Sequence, residues 1–145
     1  MKNKILVAFF LLSSAACFSQ TEITWWDLSR INYTEKYFPS YGEYFLYPEF
    51  SERMKSLEGK KVSITGFFLD IDPSGKLFIL SKNPMASCFF CGMGGPETAM
   101  EIQFKSKPDF KTDDILHVTG ILKLNANDVQ HFNYILTDCV AQKMK

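Results

Sequence analysis

Val62-Ser63-Ile64-Thr65-Gly66-Phe67 and Leu116-His117-Val118-Thr119-Gly120-Ile121 are two versions of one string. In each, two aliphatic residues alternate with polar ones and the run reaches Thr-Gly. A period of two sets the aliphatics on one face of a strand. A glycine inside such a strand marks a bulge or a sharp bend, as a strand needs when it serves two faces of a sheet. Two bent strands, at the first and fourth of five strand positions, predict a mainly β fold: a small five-stranded barrel of the OB type. A small β-sandwich is the alternative.

The other three strands follow from the same patterning. Lys61 to Asp70 is the first, and Leu77 to Leu80 is a short apolar second after the Asp72-Pro73-Ser74-Gly75 turn. Met100 to Phe104 is the third, Ile115 to Leu124 the fourth, and Asn133 to Val140 the last, entered through the turn at Asn125-Ala126-Asn127-Asp128. The barrel domain is expected over residues 59–145.

Outward from the barrel, the chain has 145 residues, which is material for one domain. Lys plus Arg and Asp plus Glu both total 16, so no basic excess argues for a nucleic-acid partner. Residues 1–19, MKNKILVAFFLLSSAACFS, read as a signal peptide. Lys2 and Lys4 give the positive start, Ile5 to Leu12 is an apolar run too short to span a bilayer, and small residues follow. Export to the periplasm or the exterior is the expectation. Cys17 admits a lipid anchor, but Ser14-Ala15-Ala16 is a poor box for one, so a soluble mature chain is preferred. Beyond residue 20 no apolar stretch is long enough for a transmembrane helix.

Residues 20–58 form an aromatic-rich arm. Trp25, Trp26, Tyr33, Tyr37, Phe38, Tyr41, Tyr44, Phe45, Tyr47 and Phe50 crowd one stretch, broken by Pro39, Gly42 and Pro48. The reading is an irregular, partly helical arm packed across the barrel, with Thr24 capping a short turn. Ser51 to Leu57 reads as a short helix ended by Gly59 at C′.

Chemistry concentrates between the second and third strands, in Pro84-Met-Ala-Ser-Cys88-Phe-Phe-Cys91-Gly-Met-Gly-Gly-Pro-Glu97. Cys-x-x-Cys brings two thiols close enough to share an ion or to form a disulfide. Gly92, Gly94 and Gly95 allow a tight turn behind them. A tetrahedral zinc site needs further ligands. In an OB barrel the third and fifth strands run parallel, so His131, at the entry of the fifth, is the preferred third ligand and Cys139 the next. The metal set expected is Cys88, Cys91, His131 and Cys139, holding zinc. A structural disulfide stays open as a second reading, and thiol–disulfide exchange as a third, weakened because Gly92-Met-Gly94-Gly95-Pro96 cannot form the helix that activates a redox thiol. No Gly-x-Ser-x-Gly, phosphate loop or His-Glu-x-x-His is present, so a catalytic residue is not assigned.

Trp26-Asp27-Leu28, Leu57-Glu-Gly-Lys-Lys-Val62, Gly66-Phe67, Phe78-Ile-Leu-Ser81, Cys88-Phe-Phe-Cys91 and Gly94-Gly-Pro-Glu97 occur in that order. Together they resemble the pattern of a family of small exported bacterial proteins that carry a domain of unknown function. The resemblance spans roughly residues 25–104, with the cysteine loop as its most specific part. It implies export and, through members linked with metal transport, leans towards a metal. The expected function is thus an exported binding or accessory domain, with an envelope protein as its expected kind of partner.

Overall fold

In the computed structural model the residues described are 20–72, 74, 77–88 and 91–145. Residues 1–19, where the sequence predicts a signal peptide and where Cys17 lies, and Pro73 and Gly75 of the predicted turn lie outside them. The elements are β1 (Thr21–Glu22), α1 (Trp25–Ser29), β2 (Ile31–Phe38), β3 (Glu43–Phe50), α2 (Glu52–Leu57), β4 (Lys61–Leu69), β5 (Phe78–Ser81), β6 (Ala99–Phe104), β7 (Ile115–Leu124) and β8 (Tyr134–Lys143).

β4 to β8 close into a five-stranded barrel. β4 pairs with β5, β5 with β6, β6 in parallel with β8, β8 with β7, and β7 returns to β4. Counted from the first barrel strand, the order is 1-2-3-5-4-1, with the third and fifth parallel, as the OB reading requires. The two repeated strings are partners in this closure. Val62 lies opposite Gly120, Ile64 opposite Val118 and Gly66 opposite Leu116.

Both glycines sit where the barrel bends. β4 pairs with β7 up to Phe67 and with β5 from Phe67 onward, so Gly66 precedes the handover. A Cβ there would lie 2.7 Å from the Ser81 carbonyl oxygen and 2.8 Å from the Trp25 ring. At Gly120 the β7–β8 register shifts, and Asp138 on β8 takes a positive φ of 53°. That is a bulge, and it turns β8 around the barrel.

The core fills from both ends. Phe68, Phe78, Phe104 and Phe110 touch ring to ring where β4 finishes. At the other end the arm closes the barrel with Leu28, Met54 and Leu57, and Phe50 packs on Tyr134. The buried Tyr134 hydroxyl donates to the Leu28 carbonyl at 2.9 Å. Trp25 Nε1 donates to the Thr65 carbonyl at 2.7 Å, laying the indole over Gly66. α1 opens with a capping box between Thr24 and Asp27, and Gly59 follows α2 with φ +75°.

The arm corrects one expectation. Residues 31–50 are not irregular but form a two-stranded antiparallel hairpin, β2–β3, with its turn at residues 39–42. Alternating aromatic and β-branched residues favour strands. Pro39 and Gly42, read as helix breakers, serve the turn, where Gly42 has φ +70°. Pro48 is tolerated because a two-stranded ribbon has free edges. Nor does the whole arm pack. Ile31 and Phe50 at its base join the core, while Tyr37, Tyr41, Tyr44 and Leu46 at and near the tip stay exposed.

Candidate functional site

The loop between β5 and β6 does not hang free. It lies across the outer face of the sheet, where Cys88 packs with Leu69, Ile79 and Ala99 in a second small core. Ile71, Leu77 and Phe132 cover its edges. The loop is tied at three places. Lys82 N–H donates to the Thr98 carbonyl at 2.9 Å, closing its neck. Asn83 Nδ2 donates to the Met93 carbonyl at 3.4 Å. Met85 N–H donates to the Asp113 carboxylate at 2.7 Å, pinning the far side to the residue pair before β7.

Within the loop the chain wraps round Cys88. The N–H groups of Cys91 and Met93 donate to its carbonyl at 3.0 and 3.4 Å. Gly92 and Gly94 take φ of +75° and +132°, the left-handed turn expected of them. Gly95 has a different purpose: the Glu97 carboxylate folds back into the space a Cβ there would occupy. That carboxylate also faces two phenols. Burial first, and the Glu97 charge second, push Tyr33 and Tyr134 well above the usual phenol range.

Cys88 and Cys91 are brought together as free thiols. Cys88 is buried and Cys91 exposed. A hydrogen bond with the Cys88 side chain, joined by desolvation, raises the Cys91 pKa, while the Cys88 backbone N–H pulls the other way. The Cys91 thiol also donates to the Met85 carbonyl at 3.3 Å.

The other two expected ligands stand elsewhere. The topology does carry His131 to the third barrel strand, but its Nδ1 lies 2.8 Å from the carboxylate of Glu101, a buried side chain on β6 that Gln103 also reaches at 2.7 Å. Cys139 lies inside the barrel wall, its thiol donating to the Leu136 carbonyl at 3.2 Å. Burial pushes that thiol up to about 12. Among the described residues no group of three or more His, Cys, Asp or Glu gathers as a metal site. A separate groove of about 370 Å³ runs between Phe45 and Leu46 of the hairpin and the 126–133 segment, with Pro96 at its edge.

Four contributors are hard to see in the sequence. Asp113 reads as a solvated turn residue, yet it holds the loop. Glu101 falls within the predicted Met100–Phe104 strand, and its side chain is buried. Met85 and Met93, within the loop, are both exposed, and their backbones are hydrogen-bonded to the two cysteines. The spacing Met-x-x-Cys-x-x-Cys-x-Met is the signal that was there to find.

Fold and site together define a small OB-like closed barrel that carries a two-thiol loop on its outer face. No family model matches the chain, and no curated protein matches it. Among the described residues no helix is long and apolar enough to cross a membrane.

Proposed function

We propose that the chain is an exported binding module in which Cys88 and Cys91 together take a thiophilic metal ion. The observation that carries this is the contact between one buried and one exposed free thiol, held by a loop tied at three points. A preset pair spares an ion much of the ordering cost of gathering its ligands. Zinc, the ion expected from the sequence, would draw two of its ligands from this pair. Export rests on the pattern of residues 1–19, and an envelope partner remains part of the proposal.

The competing redox reading is less well supported. An exchange thiol works as a thiolate and needs a lowered pKa. The Cys91 pKa is raised instead, by Cys88. A passive disulfide is the other alternative, in which Cys88 and Cys91 join to each other and take no ion.

The test is protection. Reduced protein is treated with iodoacetamide, with and without one equivalent of Zn(II), Cd(II) or Cu(I) under anaerobic conditions. Protection of Cys91 by at least one ion supports the module. Equal alkylation in every case defeats it.

A further inference from the structure

Four sulfur side chains fall within nine residues: Met85, Cys88, Cys91 and Met93. Hydrogen bonds tie the backbone of both methionines to the two cysteines. Cys91 Sγ donates to the Met85 carbonyl, and the Met93 N–H donates to the Cys88 carbonyl. The Met85 N–H is fixed by Asp113 and the Met93 carbonyl by Asn83. Both thioether residues are therefore anchored, one on each side of the thiol pair.

Their side chains do no packing work. Met85 is 38% exposed and Met93 60% exposed, and neither belongs to the barrel core or to the small core around Cys88. Two exposed thioether residues thus stand on either side of the thiol pair along the loop, with Cys91 exposed and Cys88 buried. Thioethers ligate soft ions and serve borderline or hard ones poorly, and thiolate with thioether is the donor set that selects Cu(I). A borderline ion such as zinc wants further thiolate, imidazole or carboxylate donors, and among the described residues none gathers here with the two thiols.

We infer that the loop is a Cu(I) site, with Cys88 and Cys91 as its two thiolate ligands and Met85 or Met93 supplying a thioether. This rests on the two-thiol reading above and narrows it to one class of ion. The ion takes the place of the proton the two sulfurs share. Cu(I) and two thiols give a bis-thiolate complex of charge −1 and release two protons, with no change of oxidation state. Binding therefore weakens as pH falls. The exposed thioethers leave the ion open to solvent on one side, as a site that accepts and passes on copper requires.

The experiment uses the full chain, reduced and anaerobic, in competition with bicinchoninate for Cu(I) and, separately, in competition with Zn(II). The parent is expected to remove one Cu(I) per chain from the chelator and to keep it against excess Zn(II). The double variant Met85→Leu/Met93→Leu preserves size and apolarity at exposed positions. It is expected to lose roughly 10–100-fold in Cu(I) affinity, the scale seen when a supporting ligand is removed, and to bind Zn(II) as the parent does. Cys91→Ser is expected to lose both ions. A double variant that holds Cu(I) as tightly as the parent, or Zn(II) that displaces Cu(I) at equal concentration, overturns the copper assignment while the two-thiol reading stands. A parent that takes neither ion overturns both.

Discussion

Ile64 and Val118 face one another across β4 and β7, at the midpoint of the two repeated strings. Because the strands are antiparallel, each string's leading aliphatic meets the other's glycine: Val62 with Gly120 and Leu116 with Gly66. The four aliphatics are buried on the barrel interior, and the glycines stand at the ends of the paired stretch, where the sheet must turn. One short pattern used twice thereby builds the seam that closes the barrel.

Gly66→Ala should be destabilising by about 1–3 kcal/mol, the usual cost of forcing a methyl into a packed site. The added carbon meets a backbone oxygen at 2.7 Å on one side and the Trp25 ring at 2.8 Å on the other. The backbone yields least, so the indole moves and its bond to Thr65 weakens. Urea unfolding gives the energy, and the Trp25 fluorescence reports the ring. An unchanged midpoint with unchanged emission would show that the seam tolerates a side chain there.

The hairpin divides into a structural base and a free tip. Deleting everything before Ser51 removes Leu28, Ile31, Trp25 and Phe50 from the closed end of the core, so that fragment should not melt cooperatively. Replacing residues 37–44 by an Asn-Gly turn keeps the Lys36–Phe45 pair and removes the exposed Tyr37, Tyr41 and Tyr44 together with the half-buried Phe38, none of which belongs to the barrel core. Stability should then change by no more than about 0.5 kcal/mol, as for other surface changes. Thermal melts of both variants check the contrast. A shortened hairpin that unfolds the barrel would mean the tip packs in solution.

The barrel is legible in the sequence because its strands alternate cleanly and its two bends carry glycine. The hairpin is not, because aromatic density hides alternation: on a ribbon with two open faces, Tyr37 and Tyr44 gain little by choosing a side, and Pro48 argues against a strand. At the site, Cys-x-x-Cys and the glycine turn are readable as local geometry. The whereabouts of His131 and Cys139 depend on which buried partner each finds. Glu101 captures one, and the barrel wall takes the other. Asp113 is illegible for a similar reason, since its hydrogen bond to Met85 joins residues 28 apart.

The Glu101–His131 pair should make stability depend on pH near neutrality. The hydrogen bond to Glu101, then its charge, raises the His131 pKa above 6.5. A raised cationic group stabilises fully below its unfolded pKa, and the contribution disappears as pH rises through the folded value. Relative to His131→Gln, the parent should be favoured below the ordinary imidazole value of 6.5 and lose that advantage as the pH rises through the raised folded value. The ring is 47% exposed, so solvent screening holds the difference to roughly 0.5 kcal/mol. Urea midpoints of both proteins across this range provide the check. A gap that stays constant with pH would rule out a charged pair.

Cys91→Ser and Cys139→Ser should part company, and their separation tests where the ligands are. Cys91 is exposed, so its serine variant should keep the metal-free stability within about 0.5 kcal/mol. It should nevertheless lose the bound ion, because a serine hydroxyl remains protonated at neutral pH and is a weak ligand for a thiophilic metal. Any stabilisation the ion gives by binding only the folded chain disappears with it. Cys139 is the reverse case. Its thiol is buried, lies 3.1 Å from the position of a Cβ at Gly120, and donates to the Leu136 carbonyl. Serine there puts a more polar group into an apolar wall, and its hydroxyl can still donate to the Leu136 carbonyl, so the cost should be about 1–2 kcal/mol. Ion retention should match the parent. Metal content after buffer exchange, read beside the urea midpoint for each variant, gives both quantities from one preparation. Should Cys139→Ser strip the ion as fully as Cys91→Ser, then Cys139 is a ligand after all and the two-thiol site is wrong.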